Sequence, residues 1–127
     1  MLVTSLYSSL LAIIFLILTI KVIRIRKTTK ITIGDNNNQS LQKAIRAQGN
    51  FAETVPLALI LLALSENLGT SMPLLHISGF TLLLGRMIHS YGISCVQENF
   101  NLRIAGMSLT IFSIAFLTFI NLSRIII

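Results

Sequence analysis

The sequence predicts an all-α protein, a transmembrane four-helix bundle, and three observations carry that prediction. Charged residues make up only 11% of the 127-residue chain, against about a quarter in an ordinary soluble domain. Mean hydropathy is high, at +0.82. The apolar residues also come as long runs separated by short polar stretches, the pattern of membrane spans rather than of a soluble core. A chain of this length holds one folding unit, so residues 1–127 read as a single membrane domain. Its helices are expected over about residues 2–23, 41–67, 73–94 and 102–126. So small a bundle has little interior of its own, and a polar site of useful size calls for a second subunit to complete it.

The first helix is the plainest. Met1 to Ile20 contains no charged side chain, and Lys21, Arg24, Arg26, Lys27 and Lys30 follow it directly. A secretory signal would carry its positive charge ahead of the apolar run, so this segment reads as an uncleaved first span. The basic cluster is that of a juxtamembrane cytoplasmic segment. The net charge of +6 therefore points to a membrane surface rather than to nucleic acid, because no folded basic surface surrounds the cluster.

Thr28 to Ser40 is polar, and Gly34-Asp35-Asn36-Asn37-Asn38 is a turn-forming run, with Ser40 placed to cap the next helix. Hydropathy alone would pass over that second helix, whose first half holds Lys43, Arg46, Gln48, Asn50 and Glu53. Pro56 lies inside it, as membrane helices tolerate. Gly69 to Pro73 is a turn, and Pro73 suits the first turn of the third helix, which is apolar apart from His76, Arg86, His89 and small residues. The loop from Cys95 to Asn101 includes Glu98, and Arg103 opens the fourth helix. Basic residues concentrate in the first loop, so the first and third loops are expected in the cytoplasm. The single cysteine excludes an internal disulfide and a cysteine-built metal site.

On the second helix Arg46, Asn50 and Glu53 stand at i, i+4 and i+7 and so form one stripe, which Gln42 extends towards the loop. Gly49 beside the stripe would admit another backbone. Arg86 and His89 are neighbours at i and i+3 on the third helix. The topology brings these residues and Arg103 into the same half of the membrane. Charges at that depth normally face a bundle interior or a wet cavity. Three arginines against one glutamate suit an anionic ligand, since the planar guanidinium can hold a carboxylate with two hydrogen bonds. The same spacing admits a structural reading, in which Glu53 pairs with Arg86 or Arg46 to tie helices together. His76, on another face, reads as structural. No metal site is expected, because the two histidines sit at opposite ends of one helix without carboxylate partners.

The run Arg46-Ala47-Gln48-Gly49-Asn50-Phe51-Ala52-Glu53-Thr54-Val55-Pro56 resembles the signature of the MAPEG family, the membrane-associated proteins in eicosanoid and glutathione metabolism. They share an R-x-x-x-N-x-x-E-x-x-P pattern in the second helix. Gly85-Arg86-Met87-Ile88-His89-Ser90-Tyr91-Gly92 resembles the end of the third helix in small bacterial members, and Leu102-Arg103 the start of the fourth. The resemblance implies a homotrimer in a bacterial inner membrane, with glutathione bound as co-substrate between protomers near the cytoplasmic side. It implies that Arg46, Gln48, Asn50 and Glu53 contact the tripeptide, with Arg86 and His89 opposite them. It further implies that Arg103 stabilises the glutathione thiolate for attack on a lipophilic electrophile or hydroperoxide. The leukotriene-forming members carry tyrosines where this chain has Thr54, His89 and Ile93, so the eicosanoid branch is not expected. Besides a membrane transferase or peroxidase, the sequence leaves open a non-catalytic scaffold binding a lipid or partner protein. A small transporter is disfavoured by the lack of an internal repeat.

Overall fold

The computed structural model describes residues 1–95 and 99–126. Four helices follow one another: α1 (Leu2–Thr29), α2 (Gln39–Asn67), α3 (Met72–Ser94) and α4 (Phe100–Ile126). No strand occurs among the described residues. α2 and α3 form the centre, each packed on all the other helices, while α1 and α4 flank them on separate sides with no close backbone approach between the two.

The expected helices are all present, with shifted ends. α1 runs past the apolar segment to Thr29 and carries the basic cluster with it, ending on Lys30 in the left-handed region at φ 56°. Arg26 explains part of that extension. Its Nη1 donates to the carbonyls of Ile31, Thr32 and Gly34 at 3.1–3.2 Å, which folds the loop back under the helix end. The cap of α2 is Asn38 and not Ser40: the Asn38 carboxamide oxygen accepts from the Leu41 N–H at 2.9 Å. Asn38, two residues earlier, takes the capping position, and Ser40 is drawn into the first turn. α2 continues unbroken through Pro56.

Length and composition make α1, α2 and α4 long and apolar enough to cross a membrane. Hydropathy thus finds α2, contrary to expectation, and it is α3 that it passes over. The apolar second half of α2 outweighs its polar first half. In α3 the histidines, Arg86, glycines and serines dilute the leucines throughout, and most of the polar ones are sheltered: Ser78, Arg86, His89 and Ser90 are all buried.

The core is divided along the bundle. At one end Val3, Tyr7, Leu62, Leu75 and Leu117 pack together. The middle holds Leu11, Leu18, Ala47, Phe51, Val55, Ala58, Leu82 and Ile93. Val22, Leu41 and Ala44 close the loop end of α1 and α2. Outside this core, large apolar side chains cover the surface: Ile13, Leu16 and Ile17 on α1 are 56–60% exposed, and Phe119 on α4 is 70% exposed. A surface of that kind is stable only against lipid or another subunit.

Where no hydrophobic force favours helix association, close packing and interhelical hydrogen bonds do the work. The α3–α4 seam is built on glycine. A methyl group at Gly106 would sit 2.5 Å from the His89 backbone nitrogen and 2.6 Å from the Gly85 carbonyl oxygen. Only hydrogen fits there. Deeper along the same seam the Ser113 hydroxyl donates to the Ser78 carbonyl at 2.9 Å. On the other side of α4, Ser65 of α2 donates to Asn121 Oδ1 at 2.6 Å.

Candidate functional site

A cleft of about 380 Å³ opens on one side of the bundle, lined by Ile45, Arg46, Gly49, Asn50 and Glu53 of α2, His89 and Ile93 of α3, and Arg103 of α4. It adjoins a second hollow of about 280 Å³, to which Gln42 and Lys43 contribute and which shares Arg46, Ile93 and Arg103. Three helices therefore deliver the site. The i, i+4, i+7 stripe of α2 forms one wall, the last turns of α3 the back, and the first turn of α4 the other wall.

Arg46 and Glu53 are exposed within the protomer. Neither makes a hydrogen bond or an ion pair with another described residue; the ion pair found among the described residues joins the Met1 amine to Glu66 at 3.5 Å, at the other end of the bundle. The tie between Glu53 and Arg46 or Arg86 that the sequence left open does not form. Gly49 leaves open space beside the stripe, with no atom within 4 Å of where a methyl group would stand.

Arg86 lies behind the wall. It is completely buried, and its Nη1 donates to Asn50 Oδ1 at 2.8 Å while its Nη2 stands 3.5 Å from His89 Nδ1. Its Cζ lies 5.2 Å from the centre of the Phe51 ring, a cation–π contact. Arg86 thus reaches the site through Asn50 and His89. Gln48 points elsewhere, its Nε2 donating to Thr19 Oγ1 of α1 at 2.9 Å, so within one protomer it stands apart from the cleft. Thr54 is turned onto its own helix and donates to the Asn50 carbonyl at 2.9 Å. Glu98 lies outside the described residues.

Two features of the site were missed in the sequence. Phe51 supports the Arg86 guanidinium, and an aromatic residue adjacent to the Arg46–Glu53 stripe was the available signal. The glycine seam sets the distance from Arg103 to His89. A methyl group at Gly92 would meet the Arg103 nitrogen at 3.1 Å and Leu102 Cβ at 2.9 Å. Gly85 and Gly92, one heptad apart on α3, were the signal for it.

At the opposite end of the bundle His76 is engaged by Tyr7, whose hydroxyl lies 3.1 Å from His76 Nδ1 and 3.2 Å from the His76 carbonyl oxygen. There too Glu66 is fully used. It accepts from the Val3 and Thr4 N–H groups at 3.1 and 2.9 Å and from the Thr4 hydroxyl at 2.7 Å. It caps the start of α1 from α2, taking up donors that the helix leaves unpaired.

An all-helical bundle clothed in apolar side chains, with a polar cleft cut into one half, defines a small integral membrane protein. The chain belongs to the MAPEG family, whose model matches residues 4–123. It is similar to the inner membrane protein YecN of Escherichia coli K12, with 34% identity over 120 residues, covering 94% of this chain and 90% of that protein. The YecN of Escherichia coli O6:H1 matches to the same extent. The resemblance read from Arg46 to Pro56 holds across nearly the whole chain.

Proposed function

We propose that this protein is an integral membrane glutathione-dependent transferase or peroxidase acting on lipophilic electrophiles or hydroperoxides. The observation that carries the reading is the convergence in one cleft of two arginines from different helices, Arg46 and Arg103, with Asn50, Glu53 and His89. Arginines suit the two carboxylates of glutathione, and Glu53 suits its ammonium group. Arg103, at the start of α4, is the residue assigned to the thiol. A cation beside it lowers the thiol's pKa from about 8.5 and so supplies the nucleophilic thiolate near neutral pH. In the transferase reaction the thiolate forms a carbon–sulfur bond to the electrophile, which either expels a leaving group with its bonding pair or opens a double bond or strained ring and takes up a proton. In the peroxidase reaction two glutathione molecules reduce a hydroperoxide to an alcohol and water and leave as the disulfide.

The cleft is open in one protomer, and Arg46 and Glu53 stand exposed at its rim. A homotrimer that closes the cleft with a neighbouring chain accounts for both, and it would return Gln48 to a site on the next protomer. The exposed apolar surface would take lipid and admit the lipophilic substrate from the bilayer. The protein then belongs in the bacterial inner membrane with the α1–α2 and α3–α4 loops in the cytoplasm, where the basic end of α1 follows the positive-inside rule. That end is marked by Arg26 and Lys27 in the last turn of α1.

Calorimetric titration of the detergent-solubilised protein with glutathione tests this directly, alongside the oligomer mass. Binding at millimolar concentration or tighter, with thiolate absorbance appearing near neutral pH, is the expected result; absence of binding at millimolar glutathione rules the reading out. Arg103→Ala should keep most of the binding and lose the thiolate. If the thiolate persists, Arg103 does not hold it.

A non-catalytic scaffold is favoured by one observation only, the use of Asn50 to satisfy Arg86 inside the protomer. On that reading Arg46→Ala and Glu53→Ala disrupt the oligomer, and no ligand is involved.

A further inference from the structure

Arg86 heads the fully buried side chains by size. Its guanidinium has no carboxylate within ion-pair distance among the described residues, and its Nε has no hydrogen-bond partner there. Burying a charge without a counter-ion costs several kcal/mol. An apolar residue would fill the space more cheaply, so the guanidinium is retained for what it does to its neighbours.

What it does follows from its donors. A guanidinium has five N–H groups and no acceptor. Whatever faces it must accept. For Asn50 this fixes the carboxamide: Oδ1 faces Arg86 at 2.8 Å, and the Nδ2 amino group is left for the cleft that Asn50 lines. For His89 it fixes the tautomer. Nδ1 stands 3.5 Å from Arg86 Nη2, at the outer limit of a hydrogen bond. A proton on Nδ1 would point at the N–H of a full positive charge, so repulsion enforces what attraction only favours. The proton therefore resides on Nε2. His89 also lines the cleft.

We infer that Arg86 is a positioning residue that sets the polarity of the cleft's inner wall. By occupying the acceptors of Asn50 and His89 from behind, it leaves both with only N–H donors to offer a ligand. That wall then selects a ligand group rich in acceptor oxygens, a carboxylate above all, and rejects an ammonium. Among the described residues lining the cleft, Glu53 is the one carboxylate, the place for a cationic group. This deepens the glutathione reading and rests on it for the identity of the ligand, but not for the role of Arg86.

Two measurements test it. The first needs no ligand: nitrogen-15 NMR of the histidine-labelled protein in detergent, with the second histidine assigned through His76→Gln. A protonated Nε2 and an unprotonated Nδ1 on His89 are expected at neutral pH. An Nδ1–H tautomer, or an even mixture, overturns the inference. Arg86→Gln, whose carboxamide can donate or accept, should convert the single tautomer to a mixture.

The second is Asn50→Asp, nearly isosteric with the wild type. It gives Arg86 a carboxylate partner and replaces the donor facing the cleft with an acceptor. The variant is expected to melt at the same or a higher temperature and yet to bind glutathione at least tenfold more weakly. Unchanged binding also overturns the inference. If the wild type shows the expected tautomer but binds no glutathione, the ligand reading fails and the assignment of Arg86 stands on the NMR result.

Discussion

Helix α2 carries two carboxylates about 20 Å apart along its axis, at roughly 1.5 Å per residue, and the bundle treats them in opposite ways. Glu66 is part-buried and saturated: two backbone N–H groups, a hydroxyl and the Met1 amine all converge on it. Glu53 is exposed and has no partner among the described residues. Arg86 and Arg46 repeat the contrast on the cationic side, one buried and hydrogen-bonded to Asn50, the other exposed at the cleft rim. A charge at membrane depth is costly. Glu66 is used in holding the fold together, and Arg86 is engaged with its neighbours Asn50 and His89. Glu53 and Arg46 are left at the cleft, where the proposed ligand would meet them.

Substitutions can break or sharpen that contrast. The largest effect is expected at Arg46. Arg46→Ala should weaken glutathione binding about a hundredfold or more, near 3 kcal/mol at about 1.4 per decade. The melting temperature of the protomer should not change. A fall in oligomer mass without any effect on ligand would instead make Arg46 an assembly residue.

Glu66→Ala is the mirror image. It strands the donors of the α1 N-terminus and should cost about 3 kcal/mol of stability, given the strength of hydrogen bonds to a charged acceptor. Thermal unfolding in detergent reads this, and glutathione affinity measured below the transition should match the wild type. An altered affinity would mean that the two ends of α2 are coupled.

Gly106→Ala lies between the two and should move both readouts. Its methyl group must push α4 away from His89 and Gly85, an overpacking cost of about 1–3 kcal/mol. Because α4 also carries Arg103, thiolate formation should fall in step with the melting temperature. Ser65→Ala, which deletes the buried bond to Asn121 far from the cleft, is the smallest. A loss of about 1 kcal/mol or less is expected for an interhelical bond of this kind, with binding untouched.

Much of this was legible in the sequence, for specific reasons. The 3.6-residue period of α2 places Arg46, Asn50 and Glu53 on one face whatever they pack against, and all three line the cleft. The end of α1 was misjudged because the apolar run stops at Ile20 while the helix does not. Its last turns are held by Arg26 reaching backbone carbonyls of the following loop, a main-chain contact that side-chain hydropathy does not read. The part played by Arg86 was hidden more deeply. Spacing shows that it neighbours His89 on α3, but not that Asn50 of α2 lies against it, nor that the cleft sits on the other side of Asn50.

The sequence by itself determined the helices, the membrane class and the charged stripe, because hydrophobic period and charge placement are local and read along one helix at a time. Only the tertiary structure decided which charges are spent. Whether a carboxylate or guanidinium meets its complement depends on which faces of α2, α3 and α4 the glycine seam and the interhelical hydrogen bonds bring together. Identical residue types, Glu53 and Glu66 or Arg46 and Arg86, take opposite roles for that reason alone.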